Sequence, residues 1–337
     1  MRVVCLNPSF GFANLRVEQR AEPSYGARQV LIRARAVSLN ARDVMMVRGE
    51  YNPRQKLPLI PCSDAAGEVV AQGSEVIEWA TGDHVCPIFA GRWQSGALTR
   101  EAQRSTLGGP LDGTLCEYFA ADADALVRAP SHLTASEAAC LPCAGVTAYR
   151  AIIELGQLHA GQSLLCLGTG GVSLSAIGIA KALGVRVVVT SRHTQKLERA
   201  LGLGADHVID TTVTRDWGTA VRAFTAGAGV DHVLELCGAE TIEQSLRAVR
   251  LGGTVSVIGV LSGARAELDL RPILMQDIRL QGVFVGSRAT FLDLVAFYER
   301  HALRPVIDRV FALTDARAAF EHAASGLGFG KVVIALD

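Results

Sequence analysis

Four groups of residues in this 337-residue sequence have the types and spacing to do chemistry. The first is the run Gly168-Thr169-Gly170-Gly171-Val172-Ser173. Glycine there lets the backbone turn tightly and leaves amide N–H groups close to a pyrophosphate, which a following helix start stabilises. The second lies about twenty residues on, where dinucleotide sites specific for an unphosphorylated ribose carry a carboxylate. Here that place reads Ser191-Arg192-His193, with Lys196 just beyond. Hydroxyl, guanidinium and ammonium groups suit a 2′-phosphate, hence NADPH; the alternative is a solvated basic loop. The third is Asn40-Ala41-Arg42-Asp43. On an extended segment Asn40 and Arg42 would project to one side and could hold a carbonyl oxygen as negative charge develops on it. An ion pair of Arg42 with Asp43 or Asp64 is the equal alternative. The fourth, Cys140-Leu-Pro-Cys143, is a C-x-x-C with neither a thioredoxin-like βαβ turn nor a second cysteine pair, and reads as two small buried residues near a helix start.

Elements must frame these groups. SLLCLG reads as a buried strand, VSLSAIGIAKAL has helical spacing, Gly184 caps it, and VRVVVT is a second strand. A glycine-rich turn framed in this way is a good dinucleotide signal, whereas an unframed one is weak. Ser173 stands where the fingerprint has glycine, so the helix is expected slightly farther from the strand. Beyond Pro130 come two apolar helical segments in SHLTASEAACLPCAGVTAYRAIIELG, and then alternating strands and helices, including a helix over TIEQSLRAVRLGG. Six strands with short helices predict an α/β fold with a doubly wound parallel sheet over 128–287.

Residues 1–127 read instead as short strands. RQVLIRARAVSLN places Val30, Ile32, Ala34 and Ala36 on one face, and Ala90–Pro110 reads as a long loop. The tail, 288–337, is expected to fold back onto this mostly β domain and leave a cleft between the two.

Apolar residues make up 49% of the chain, which predicts two globular domains with their own cores. Lys+Arg and Asp+Glu balance at 33 each, so no basic footprint points to nucleic acid. No apolar run of membrane-spanning length escapes interruption by charge or glycine, and the N-terminus lacks a secretory pattern. Eight cysteines scattered in apolar sequence suit a reduced, cytoplasmic protein. His84, His193, His207 and His232 sit in polar turns or strand ends, and no Ser-His-Asp arrangement follows from spacing.

Taken in order, SLNARD, PCSDAAGEVVAQGSEV with GDHV, GTLCEYF, LPCAGVTAYRA, LGTGGVSLSAIGIAKALG, LGADHVID, GVDHVLELCG, GGTVSVIG and GKVVI make the chain resemble the medium-chain dehydrogenase/reductase superfamily along nearly its whole length. Within it the sequence is most similar to the zinc-free quinone-oxidoreductase-like branch. The resemblance implies a GroES-like broken-barrel catalytic domain and a Rossmann domain, a homodimer or tetramer, and NAD(P)H bound in the cleft. It implies cofactor-binding roles for Thr147, Val172, Gly168, Gly170 and Gly171, with Ile258 and Val285 placed beside them. Tyr51 matches an aromatic flanking the substrate pocket, with a half-buried core tyrosine as the alternative. Phe89, Trp93 and the loop to Pro110 could shape substrate access.

Zinc members of that superfamily place ligands at the positions of Asn40, Ser63 and Cys143. One thiol with an amide and a hydroxyl falls short of the three or so N, S or carboxylate ligands that zinc needs. Cys62 neighbours the histidine position, but an adjacent strand residue points to the opposite face. The lobe that holds four cysteines in zinc members corresponds to residues 86–116, with cysteines only at its ends. No metal is expected. The expected reaction is hydride transfer from NADPH to an enone or quinone, with Asn40, Arg42 and Tyr51 at the substrate. The alternatives are a zinc-free alcohol or aldehyde oxidoreductase and an NADPH-binding sensor or structural dimer.

Overall fold

The computed structural model describes residues 1–336. The chain divides into two compact units, one formed by Met1–Val146 with the chain from Val285 onward, the other by Thr147–Phe284. The first boundary falls later than residue 127 because the short helix Ala135–Ala138 packs on the strands Gln29–Leu39 and Asp64–Gln72.

In the first unit the strands are β1 (Arg2–Leu6), β2 (Leu15–Gln19), β3 (Gln29–Leu39), β4 (Asp64–Gln72), β5 (His84–Pro87), β6 (Tyr118–Asp122) and β7 (Leu126–Arg128). In the second they are β8 (Ser163–Leu167), β9 (Arg186–Ser191), β10 (His207–Asp210), β11 (Val230–Glu235), β12 (Val249–Val257) and β13 (Arg279–Gly282). The tail returns β14 (Ile307–Ala312) and β15 (Lys331–Ala335) to the first unit.

The order β14-β15-β3-β4-β5-β7, with β6 also paired to β3, makes the main sheet of the first unit. Strand β3 is its spine. Val30, Ile32 and Ala34 are buried, as alternation predicts, and join a core with Val69, Val85, Leu126, Phe320 and Ile334. Ala36 is buried too, but the register shifts between Ala34 and Ala36, so Val37 and not Ala36 continues that core. The tail does fold back here: β15 pairs antiparallel with β3, setting Val332 opposite Leu39. The segment Ala90–Pro110 is less open than its sequence suggests. Phe89 and Trp93 are buried, Ala90 bridges Thr106, and Thr99 caps a short helix, Arg100–Gln103.

In the second unit all sheet pairs are parallel, in the order β10-β9-β8-β11-β12-β13. The order reverses at β8, whose C-terminal end leads into the glycine turn; such a switch point is where ligands bind open α/β sheets. The helix expected over TIEQSLRAVRLGG stops at Ala248. Val249 goes extended and pairs with Val230 as the first residue of β12, because a buried β-branched side chain suits the sheet better than a helix end.

The helical stretch Ala135–Leu155 is long and apolar enough to cross a membrane, but 72% of its apolar window is buried inside the protein, as in a core helix. Its hydrogen-bond pattern loosens to π-helix at Leu141–Gly145, where Pro142 has no N–H for the carbonyl of Ala138. The Cys86 thiol faces that carbonyl at 3.7 Å.

Candidate active site

The backbone is extended at Asn40 but helical from Ala41 onward, so Asn40 and Arg42 do not share an extended segment. Asn40 is the N-cap of the helix Ala41–Val47, and the Asp43 carboxylate accepts its N–H at 2.8 Å. Asn at the cap with an acidic residue three positions on is a helix-start pattern, so the sequence held the signal that corrects the extended reading. The correction matters for Arg42, which falls inside the first turn. Its Nη1 donates to the Leu107 carbonyl at 2.7 Å and to Asp43 at 3.2 Å, and its Nη2 to the Gly109 carbonyl at 3.0 Å. The guanidinium also lies 5.1 Å from the Tyr51 ring centre and 5.2 Å from that of Phe89. Arg42 therefore braces the 107–109 loop and pairs with Asp43. Tyr51 is 45% exposed, so it is a surface aromatic held by Arg42 and not a core tyrosine.

The side chain of Asn40 enters a different network. The Lys331 ammonium, brought by β15, donates to Asn40 Oδ1 at 2.5 Å and to the Leu39 carbonyl at 2.7 Å. Asn40 Nδ2 lies 3.5 Å from Ser63 Oγ, whose own proton goes to Asp64 Oδ1 at 2.6 Å. The other Asp64 oxygen accepts the Cys143 N–H at 3.1 Å and sits 4.0 Å from Lys331 Nζ. Asp64, Ser63 and Lys331 are buried, while Asn40 and Cys143 are partly exposed. Burial raises the Asp64 carboxyl above its ordinary range, opposed by Lys331 and by hydrogen bonds from Ser63, Asn40 and Cys143. Nothing in the sequence places Lys331 or Asp64 beside Asn40.

That donor set does not fit a zinc ion. An amide oxygen and a serine hydroxyl are poor zinc ligands, and a buried ammonium beside them opposes a divalent cation. Among the described residues no three His, Cys, Asp or Glu side chains come together to hold a metal. Cys62 precedes β4 in a left-handed turn (φ 72°), with the Gly108 and Gly113 backbones packed so tightly on it that no Cβ would fit at either glycine. It is buried, and not the β4 residue that simple alternation assumed. Cys140 is also buried, with its thiol 3.2 Å from the Ser136 carbonyl.

Asp43 yields a pH test. Burial pushes its carboxyl from the ordinary 3.8 up to about 6, against the pull of Arg42. The folded chain keeps a proton there that the unfolded chain releases, so this contribution to stability is full below pH 3.8 and is lost as pH rises through 6. Thermal melts should show the wild type losing ground to Asp43→Asn between pH 4 and pH 7, by up to about 1.4 kcal/mol per pH unit. A difference that stays constant over that range would refute the assignment.

In the second unit the glycine turn fits a dinucleotide. Gly168 has φ 74°, and Gly170 is the N-cap of the helix Gly171–Ala182, which no side chain caps among the described residues. A Cβ at Gly168 or Gly170 would meet no described heavy atom within 4 Å, so the space over the turn is open to a phosphate. Ser173 does not disturb the turn. Its buried hydroxyl donates to the Leu167 carbonyl at 2.9 Å and ties the helix to the end of β8. Val172 and Ile258 are half-buried near the C-terminal ends of β8 and β12, and Thr147 is buried at the start of the unit. Val285 belongs to the first unit, buried with φ 43°.

Ser191 closes β9, and its hydroxyl accepts the His193 N–H at 3.2 Å; Arg192 is exposed and Lys196 half-buried. Sequence distance hid one neighbour. Asp210 of β10 stands in register with Ser191, so a carboxylate is present after all. Its two oxygens accept hydroxyls from Thr194 at 2.9 Å and Thr212 at 2.6 Å, and these bonds hold its carboxyl below the ordinary range, led by Thr212. His232, by contrast, is a core residue: Nε2 meets Ser256 Oγ at 2.8 Å, and burial pushes its pKa down to about 4.

Residues 26–131 match the alcohol dehydrogenase GroES-like domain and residues 171–300 the zinc-binding dehydrogenase family. A zinc-type alcohol dehydrogenase-like protein of Schizosaccharomyces pombe is 36% identical over all of this chain and 99% of its own. The chain belongs to the medium-chain dehydrogenase/reductase superfamily. It is thus an alcohol dehydrogenase-like oxidoreductase with the GroES-like and Rossmann architecture of that superfamily. Among solved structures, an NAD-dependent alcohol dehydrogenase superposes with a TM-score of 0.92 at 30% identity, covering 100% of both chains. The quinone oxidoreductase of Coxiella burnetii superposes at 0.82 with 25% identity, over 100% of this chain and 99% of its own.

Proposed function

We propose that this chain is a zinc-independent, NADPH-dependent oxidoreductase that reduces activated C=C bonds of enones, or quinones. The observation that carries the reading is the Lys331–Asn40–Ser63–Asp64 network, which stands where zinc members of the superfamily place metal ligands. A bound dinucleotide supplies a hydride. The chain must hold the acceptor's carbonyl oxygen as negative charge collects there, and Asn40 Nδ2 is the donor suited to that task. A neutral amide polarises an oxygen less than a metal ion does, which favours acceptors whose charge is delocalised over an enolate or a quinol. The α-carbon then takes its proton from water, so no dedicated acid is needed. Gly168, Gly170 and Gly171 would cradle the pyrophosphate, and Arg192 with Lys196 the 2′-phosphate.

The relatives named as alcohol dehydrogenases favour a second reading, oxidation of alcohols or reduction of aldehydes, which the donor set at Asn40 and Ser63 would have to run without zinc. Steady-state NADPH oxidation with a matched enone, quinone and saturated aldehyde separates the two. Fast aldehyde turnover with an inert enone would overturn the reaction class, and no turnover with any acceptor would leave a binding protein. Elemental analysis of protein prepared without a metal-affinity tag should find no stoichiometric zinc; one zinc per chain would remove the metal-independent half of the proposal.

The exposed Leu270, Leu274 and Met275 lie near the outer strand β13, which pairs only with β12 among the described strands, and this supports a homodimer. Eight free cysteines, most of them buried, support a reducing compartment such as the cytoplasm.

A further inference from the structure

We propose that Lys331 is the positioning residue that turns Asn40 into a hydrogen-bond donor, an inference that rests on the oxygen-binding role given to Asn40 above. A carboxamide can present either its oxygen or its NH2 group to a ligand, and its surroundings decide which. The Lys331 ammonium carries three donors and no acceptor, and it reaches Asn40 Oδ1 at 2.5 Å. Only the oxygen of Asn40 can face it. The opposite edge agrees: the Ser63 proton is given to Asp64 at 2.6 Å, so Ser63 Oγ presents lone pairs to Asn40 Nδ2 at 3.5 Å. Nδ2 has two hydrogens, and one faces the hydrogen-bonded Ser63–Asp64 pair. Because Asn40 is partly exposed, the other can meet a ligand's oxygen.

Lys331 is itself fixed. It is 4% exposed, bound to the Leu39 carbonyl at 2.7 Å and 4.0 Å from the buried Asp64. An amide whose oxygen is bound to a cation is also a stronger donor at nitrogen, since hydrogen bonds in a chain polarise one another. Lys331 therefore sets both the orientation and the strength of the group that holds the substrate oxygen, without touching the substrate.

The test combines a spectroscopic and a kinetic measurement on the full chain. The Asn40 side-chain amide pair is identified in a 15N-correlated spectrum by its loss in Asn40→Ala. In Lys331→Met that pair should shift and broaden, and kcat for the enone should fall about tenfold with the KM for NADPH unchanged. In the Asn40→Ala background, Lys331→Met should cost less than a further twofold. An unmoved Asn40 resonance, or a tenfold loss that persists in the double variant, overturns the proposal and leaves the oxygen-binding role of Asn40 intact. Full activity in Asn40→Ala alone removes that role, and with it the function given to Lys331. If Lys331→Met fails to fold because Asp64 loses its counter-charge, the same comparisons are made between Asp64→Asn and Lys331→Met/Asp64→Asn, in which neither charge is left buried alone.

Discussion

Asn40→Ala should lower kcat for an enone about a hundredfold, because one preorganised hydrogen bond to a developing oxyanion contributes roughly 3 kcal/mol in the transition state. The loss should appear in kcat and in kcat/KM alike, since the bond strengthens as charge moves onto the oxygen. NADPH affinity, measured by fluorescence titration, should not change. Asn40→Ala keeps the backbone N–H that Asp43 accepts but takes an acceptor from the buried Lys331 ammonium, so the variant should melt at a lower temperature by the equivalent of about 1–3 kcal/mol. An assay well below its melting point separates the two effects. A variant that melts earlier but turns over at the wild-type rate would leave Asn40 with its structural bond to Lys331 alone.

Arg192→Ala should weaken NADPH binding by roughly ten- to a hundredfold, since a hydrogen bond to a charged group contributes about 1.5–3 kcal/mol. NADH, which has no 2′-phosphate, should bind the variant and the wild type equally. Asp210 sharpens the expectation. It stands in register with Ser191 and remains ionised, so once Arg192 is gone the phosphate faces a carboxylate with less cationic cover. The preference for NADPH should therefore invert and not merely vanish. If Arg192→Ala left both affinities unchanged, the basic residues after β9 would be a solvated loop and the cofactor assignment would be wrong.

The two halves of this site were unequally legible in the sequence. The dinucleotide turn follows from local rules: glycine at fixed offsets, a strand before it and a helix after it, all within Ser163–Ala182. Such signals survive in one dimension. The substrate side depends on contacts that do not. Asn40 and Lys331 are 291 residues apart in the chain, and no periodicity announces that β15 will lie beside β3. Asp210 was invisible beside Ser191 for the same reason, because parallel pairing sets residues 19 positions apart side by side. Arg42 was misplaced by a local error. An extended Asn40-Ala-Arg-Asp43 overlooks that its first and fourth residues mark a helix start, and one turn of helix is enough to send the guanidinium to the 107–109 carbonyls.

The position of β15 also sets a timetable for biosynthesis. Residues 147–284 form one uninterrupted unit and can fold as soon as they leave the ribosome. The first unit cannot be finished then, although its first 146 residues emerge earlier. Its central strand β3 has β4 and β6 beside it but lacks its partner over Ala36–Leu39 until residues 331–335 are made, and Asp64 waits for the same strand to bring its counter-charge. During that interval Ala36–Leu39 presents an open edge to other nascent chains. Slow translation of residues 285–335 would lengthen that exposure. A bulky fusion at the C-terminus would hamper the step that closes it, so N-terminal tags are the better choice for producing active protein.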